Sequence, residues 1–129
     1  MKNKHDPRHL KRISNMQAVF AYQLGNSAKI SPDYHQIIKE LPRLDQIISD
    51  NAPKWPLEKI NRVDLAILRC ALWELVIQKV NPPKVIIDEA VELAKEFGTD
   101  SSSSFVNGVM GSAIKRLNIP VTSPPAPHD

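Results

Sequence analysis

Residues 63–77 read VDLAILRCALWELVI, and within them only Asp64, Arg69 and Glu74 are charged. A helix that is apolar almost all round must be the central one, covered by other helices on most of its circumference. Asn61 is placed to cap its start, with Asp64 at the third following position in a variant of the capping box. This segment alone predicts an all-α fold built around a buried helix. The composition agrees where it can be asked: 4 glycines and 3 phenylalanines argue against a sandwich, a barrel or a glycine-rich nucleotide fold. A length of 129 residues suits one compact domain or two tightly joined helical halves.

The flanking helices are read by the same reasoning. Asp6-Pro7 is a helix start, and Leu10, Ile13, Met16, Phe20 and Leu24 recur at steps of three and four until Gly25 stops the helix, predicting residues 7–24. Ser31-Pro32 repeats the capping pattern, and Ile37, Leu41, Leu44 and Ile48 hold one phase across Pro42, giving one kinked helix or two short ones over 32–51. The prolines around Trp55 make a turn, followed by a single helical turn at 56–60. After Asn81-Pro82-Pro83 comes a helix whose apolar stripe is Val85, Ile86, Ala90, Leu93, Ala94 and Phe97, ended by Gly98. Its carboxylates, Asp88, Glu89, Glu92 and Glu96, are expected to face outwards. The last helix carries Phe105, Val106, Val109, Met110, Ala113, Ile114 and Leu117; Gly108 and Gly111 within it are expected to mark close helix–helix approach. The organisation expected is an N-terminal helical subdomain (1–51), a C-terminal bundle (55–117) and a disordered proline-rich tail (118–129).

Catalytic patterns find little support. The histidines at 5, 9, 35 and 128 form no paired metal spacing, and His5 and His9 read as a surface pair. The single cysteine, Cys70, excludes an internal disulfide and reads as a small core residue. The carboxylate cluster lacks the Glu-x-x-His motifs of a di-metal bundle. Ser101–Ser104 has neither Ser-x-x-Lys nor a nucleophile elbow and reads as a loop and helix cap. No catalytic residue, metal ligand or cofactor is assigned. No apolar run approaches a membrane span, and no signal stretch follows the basic start, so a cytoplasmic, non-membrane protein is expected.

Charge is the informative feature. Lys2, Lys4, Arg8, Lys11 and Arg12 face only Asp6 in the first twelve residues, an excess larger than the whole chain's net +3. The group sits at the positive end of a helix dipole, beside unpaired N–H groups, so an anionic partner is indicated. Nucleic acid is preferred to a membrane surface because Ile13, Met16 and Phe20 are needed by the core. Phosphate contacts carry little sequence information, so base contacts must come from elsewhere. Asn15, Gln17, Ser101, Ser102 and Asn107 are the candidate donors and acceptors.

AILRCALWEL (66–75), PPKVIIDEAVELAKEFG (82–98) and FVNGVM (105–110), in that order and spacing, resemble the NusB family of transcription antitermination factors. RHLKRISNMQAVFAYQL resembles that family's arginine-rich first helix, and the chain between Leu24 and Leu44 is about one helix shorter than the family's usual first domain. The resemblance implies two small helical bundles packed together and a non-catalytic role. It implies binding to the boxA element of ribosomal RNA leader transcripts together with ribosomal protein S10 (also called NusE), and through these, contact with other Nus factors and RNA polymerase. Carried onto this chain, RNA contact falls on Lys4, Arg8, Lys11 and Arg12, with Asn15 from the base-contact candidates, and on Ser101, Ser102, Ser104, Phe105 and Asn107. The S10 surface falls on Tyr22, Trp73 and Glu74. A homodimer masking the RNA-binding region is a further state that the family implies.

Two alternatives share the fold. One is a helical protein–protein adaptor without RNA, working through Trp73 and Glu74. The other is a stand-alone relative of the NusB-like domain found in some ribosomal RNA cytosine methyltransferases.

Overall fold

The apolar run folds as expected, as the helix against which the others pack. A computed structural model of the protein describes residues 6–26 and 30–121. In chain order the helices are α1 (Pro7–Gln23), α2 (Tyr34–Lys39), α3 (Leu41–Asn51), α4 (Arg62–Trp73), α5 (Pro83–Phe97) and α6 (Ser102–Arg116). A 3₁₀ turn at Leu57–Lys59 precedes α4, and a π-helical turn at Glu74–Gln78 continues it. There is no strand among the described residues, and no described helix is long and apolar enough to cross a membrane. Leu65, Ala66, Ile67, Leu68, Ala71 and Leu72 of α4 are buried, against α1, α3, α5 and α6; α5 and α6 pack along each other.

Local chemistry sets the helix ends. The Asp6 carboxylate accepts the Arg8 backbone N–H at 2.8 Å, and Pro7 loses no hydrogen bond at the first position. Gly25, at φ 82°, takes the left-handed conformation that ends α1. Asn61 Oδ1 accepts the N–H groups of both Val63 and Asp64. The 32–51 segment is two helices, broken at Glu40, so that Pro42 lies in the first turn of α3. Its start differs from expectation: Ser31 is buried without capping anything, and Asp33 is the N-cap residue, pinned by the Asn15 side chain of α1.

The π turn was not legible in the sequence. Lys79 donates its N–H to Glu74 O at 2.9 Å and adopts φ 57°, a left-handed conformation that costs a non-glycine residue energy. Another internal tie is Arg69 of α4, buried, with two bonds to Asp45 of α3 and one to Gln23 of α1. Ile119, expected in an unpacked tail, packs against the core and donates its N–H to Ile114 O. The rest of the tail from residue 122 lies outside the described residues.

Gly108 and Gly111 do not mark a close approach. A Cβ at either would meet nothing within 4 Å. The tight contact is at Gly98, where a Cβ would collide with Ser102 and the Ala94 carbonyl. Gly111→Ala is therefore expected to stabilise the protein by about 0.5–1 kcal/mol through helix propensity alone. The urea midpoint should rise, and a fall would reveal crowding that the structure does not contain.

Candidate functional site

The candidate residues fall into two groups, one at the N-terminal half of α1 and one at the start of α6. In the first group, Lys4 lies outside the described residues. Arg8 is largely solvent-exposed and pairs with Asp6 through its side chain. That partner holds the Asp6 carboxyl below its usual range, through the Arg8 side-chain bond first and the Arg8 backbone N–H second. Lys11, half exposed, lies 3.4 Å from Asp33.

Arg12 and Asn15 depart from expectation. The Arg12 side chain is only 11% exposed and donates two bonds of 2.9 Å to the Glu74 carboxylate, with Glu89 3.6 Å away. Burial works against its charge, but the Glu74 hydrogen bond and the attraction of Glu74 and Glu89 outweigh it, raising its pKa above the ordinary value. A guanidinium used in this way is not presented to a phosphate. Asn15 is buried and spends both ends of its amide on Asp33, donating to the carboxylate at 2.9 Å and accepting the backbone N–H at 3.2 Å. Its role is to hold the start of α2 against α1 rather than to read a base.

The partner-contact candidates are corrected similarly. Trp73 is 2% exposed and forms part of the core, so it offers no anchor to another protein. Glu74 is committed to Arg12 and also accepts from the Asn81 amide. The residue chosen for RNA and the residue chosen for a protein partner thus neutralise each other. Tyr22 alone of the three is exposed, packed edge-on against Tyr34 with ring centroids 6.4 Å apart.

His9 and Glu89 were expected at the surface, yet both are buried. His9 Nδ1 lies 3.2 Å from Glu89, and Nε2 lies 3.2 Å from Glu96. The i and i+7 positions of α5 therefore grip one imidazole from both sides. Each residue alone looks polar and peripheral, so the sequence signal was visible only as a spacing. Glu96 lies in the last turn of α5, two residues before the Gly98 bend that leads into α6. The grip ties the basic helix to α5.

In the second group, Ser101, Ser104 and Asn107 are exposed and Phe105 is half-buried. Ser102 is fully buried, and its hydroxyl accepts the Thr99 N–H at 2.9 Å, closing the turn; it faces inwards rather than towards a ligand. Ser101, Ser104 and Phe105 line a hollow of about 460 Å³ with Thr99, Trp55 and Lys59. Trp55 was read only as a turn residue; its available signal was an indole between two prolines, outside every apolar stripe. Asp64 lies beneath this hollow with Oδ1 buried and unpartnered. Burial pushes its carboxyl pKa up, and a hydrogen bond from Ser102 offsets only part of the shift.

The sign for stability follows from that direction. A carboxyl whose folded pKa is raised is most favourable to the fold when protonated, below its unfolded pKa of about 3.9, and becomes costly as pH rises through the folded value. Asp64→Asn should therefore be more stable than wild type at neutral pH, and the difference should shrink on acidification. A melting-temperature difference that widened towards pH 4 would contradict this reading. Cys70 is buried, and burial pushes its thiol pKa far up, so it is an inert core residue rather than a nucleophile.

The helix order and central α4 define an all-α fold. The model of the NusB family matches residues 9–115. The chain belongs to the NusB family. It is 56% identical over 75 residues to a protein of Chloroflexus aggregans and 45% identical over 75 residues to one of Treponema denticola, both named transcription antitermination protein NusB. These matches cover 57% and 58% of this chain and 50% and 55% of the relatives, so the chain spans about half the length of the curated relatives it matches. The solved structure of T. maritima NusB superposes with a TM-score of 0.73 at 31% identity, covering 89% of this chain and 93% of that one.

Proposed function

We propose that the protein is a transcription antitermination factor that binds boxA-type single-stranded RNA of ribosomal RNA transcripts together with ribosomal protein S10. Through these it would join other Nus factors on RNA polymerase. The observation that carries this reading is the exposure of Arg8 and Lys11 at the positive end of the α1 dipole, in a chain that belongs to the NusB family. A backbone-binding cation, Arg8, and a half-buried aromatic, Phe105, are supplied by two helices of one family fold. Arg8 and Lys11 act as phosphate contacts, Ser101, Ser104, Phe105 and Asn107 face the bases, and Tyr22 is the exposed aromatic available to S10. The role is one of binding, with no catalytic residue assigned.

A second reading, a protein adaptor that has lost RNA, draws on the self-pairing of the α1 cations: Arg8 with Asp6, Lys11 with Asp33 and Arg12 with Glu74. Fluorescence anisotropy of labelled boxA-like RNA and a scrambled control, with and without S10 at two salt concentrations, separates the two. Selective binding that tightens with S10 and weakens with salt, and that loses salt dependence in Arg8→Gln/Lys11→Gln, supports the antitermination reading. S10 binding without RNA selectivity, unaltered by that double substitution, overturns it.

A further inference from the structure

We propose that Trp55 and Phe105 form a stacking ridge for two unpaired bases of a single-stranded RNA, with Lys54 and Lys59 holding its backbone. The proposal rests on the RNA-binding reading above and assigns residues of the α3–α4 connection to it. Trp55 is 52% exposed, a large apolar surface to leave in water. Its place is nevertheless fixed. Pro53 and Pro56 restrict the backbone on either side, and the Trp55 N–H donates to Ala52 O at 3.0 Å. Across from it, Phe105 is anchored in the first turn of α6 and packs partly against the core.

Two hollows meet at this ridge, of about 460 and 340 Å³, and Trp55, Ser104 and Phe105 line both. Each volume lies within the range of small-ligand clefts. Lys59 borders the larger and Lys54 the smaller. Both lysines are exposed, and neither is in an ion pair among the described residues. Phosphate attraction is therefore less compensated here than on α1, where Arg8, Lys11 and Arg12 each face a carboxylate. Glu58 is the one carboxylate between residues 53 and 60, and Asp64 also lines the larger hollow, with its Oδ1 buried.

The exposed indole of Trp55, the half-buried ring of Phe105, unpaired lysines and rotatable hydroxyls of Thr99, Ser101 and Ser104 are the parts of a single-strand site. Stacking supplies affinity, cations follow the backbone, and hydroxyls accept any base edge. A protein partner of similar area would call for a larger apolar centre and fewer free cations. Gly108 borders the smaller hollow, and a Cβ there would meet nothing within 4 Å.

The two tryptophans make the test internal, since Trp73 is buried and Trp55 is not. Titration of the full chain with a boxA-like oligoribonucleotide should quench the exposed indole, and Trp55→Phe should abolish that quenching while Trp73 emission persists. By anisotropy, Trp55→Ala should weaken RNA binding about tenfold, whereas Trp55→Phe keeps most of the affinity. Lys54→Gln/Lys59→Gln should flatten the salt dependence. Gly108→Leu, which fills the smaller hollow from a helix position that favours leucine, should also weaken binding with the melting temperature retained.

If Trp55→Ala and the lysine pair bind RNA as wild type does, while Arg8→Gln/Lys11→Gln still weakens it, the ridge is overturned and the RNA reading stands. If the wild-type chain binds no RNA with or without S10, both fall. Equal quenching by a poly-glutamate peptide at the same salt would overturn the ridge in favour of an acidic protein ligand.

Discussion

Arg12→Ala is expected to unfold this protein more readily by about 3–5 kcal/mol, because it takes the bidentate partner from the buried Glu74 and a nearby positive charge from Glu89. For a chain of this length that is a fall in Tm of roughly 10 °C or more. The Arg12 and Glu74 side chains are 11% and 12% exposed, and the pair is bidentate, with Glu89 within 3.6 Å. Removing the guanidinium leaves Glu74 with the Asn81 amide and Glu89 with His9, neither of which supplies a fixed two-pronged charge. Arg12→Lys should recover only part of the loss, since an ammonium cannot reproduce the planar fork. Arg12→Met/Glu74→Leu should be nearer to wild type than either single change, because it removes both members of the pair together. Thermal melts of these variants, with the two single changes Arg12→Met and Glu74→Leu, test this. Near-additive losses would show that the two residues do not act as a pair.

The same arithmetic changes how RNA binding by such variants is interpreted. A loss of RNA affinity in Arg12→Ala reports a loosened α1, not a missing phosphate contact. Arg8, at 79% side-chain exposure, is the cation whose neutralisation reports on phosphate. Its pairing with Asp6 is a surface pair, and such pairs are weak enough for a phosphate to displace.

Much of the fold was legible because it depends on short-range rules. The all-round apolar run at 63–77 required a central helix, and Asp6-Pro7, Gly25, Asn61 and Gly98 marked ends that the structure keeps. The misreadings share a cause: each residue was assigned by its type on an isolated helix, while its partner lay far along the chain. Arg12 finds Glu74 62 residues away, and His9 finds Glu89 and Glu96 80 and 87 residues away. Asn15 finds Asp33 across the α1–α2 loop. A helical wheel can show that these residues lie off the apolar stripe, but not that a second helix will cover them. The family motifs marked the start of α6, where Ser101, Ser104 and Phe105 do line a hollow. They did not mark Trp55, which reaches that hollow only because the α3–α4 connection folds over it. Gly108 and Gly111 failed for a different reason: a glycine in a helix signals lost propensity, but only packing shows whether anything needed the space.

Gly98→Ala is expected to do the most damage of any small substitution near the candidate site. An ideal Cβ there would overlap Ser102 Oγ and Cβ and the Ala94 carbonyl oxygen, and two of these three atoms belong to groups that cannot move away freely. The Ala94 carbonyl is the last acceptor of α5, bonded by the Gly98 N–H at 2.9 Å, and the fully buried Ser102 hydroxyl takes the Thr99 N–H. Relief of the overlap must therefore pull α6 away from α5 or break the turn between them. Forced overpacking of this kind costs about 1–3 kcal/mol, at times more, and here the lost Ser102 bond adds to it. The displacement falls on the first turn of α6, which carries Ser104 and Phe105. Gly98→Ala should thus lower the melting temperature and weaken boxA RNA binding together, even though residue 98 itself offers no side chain to RNA. The companion change Ser102→Ala/Gly98→Ala removes the hydroxyl that the new methyl strikes first. It should recover part of the stability if the clash is the cause, and none of it if Gly98 is needed only for backbone freedom.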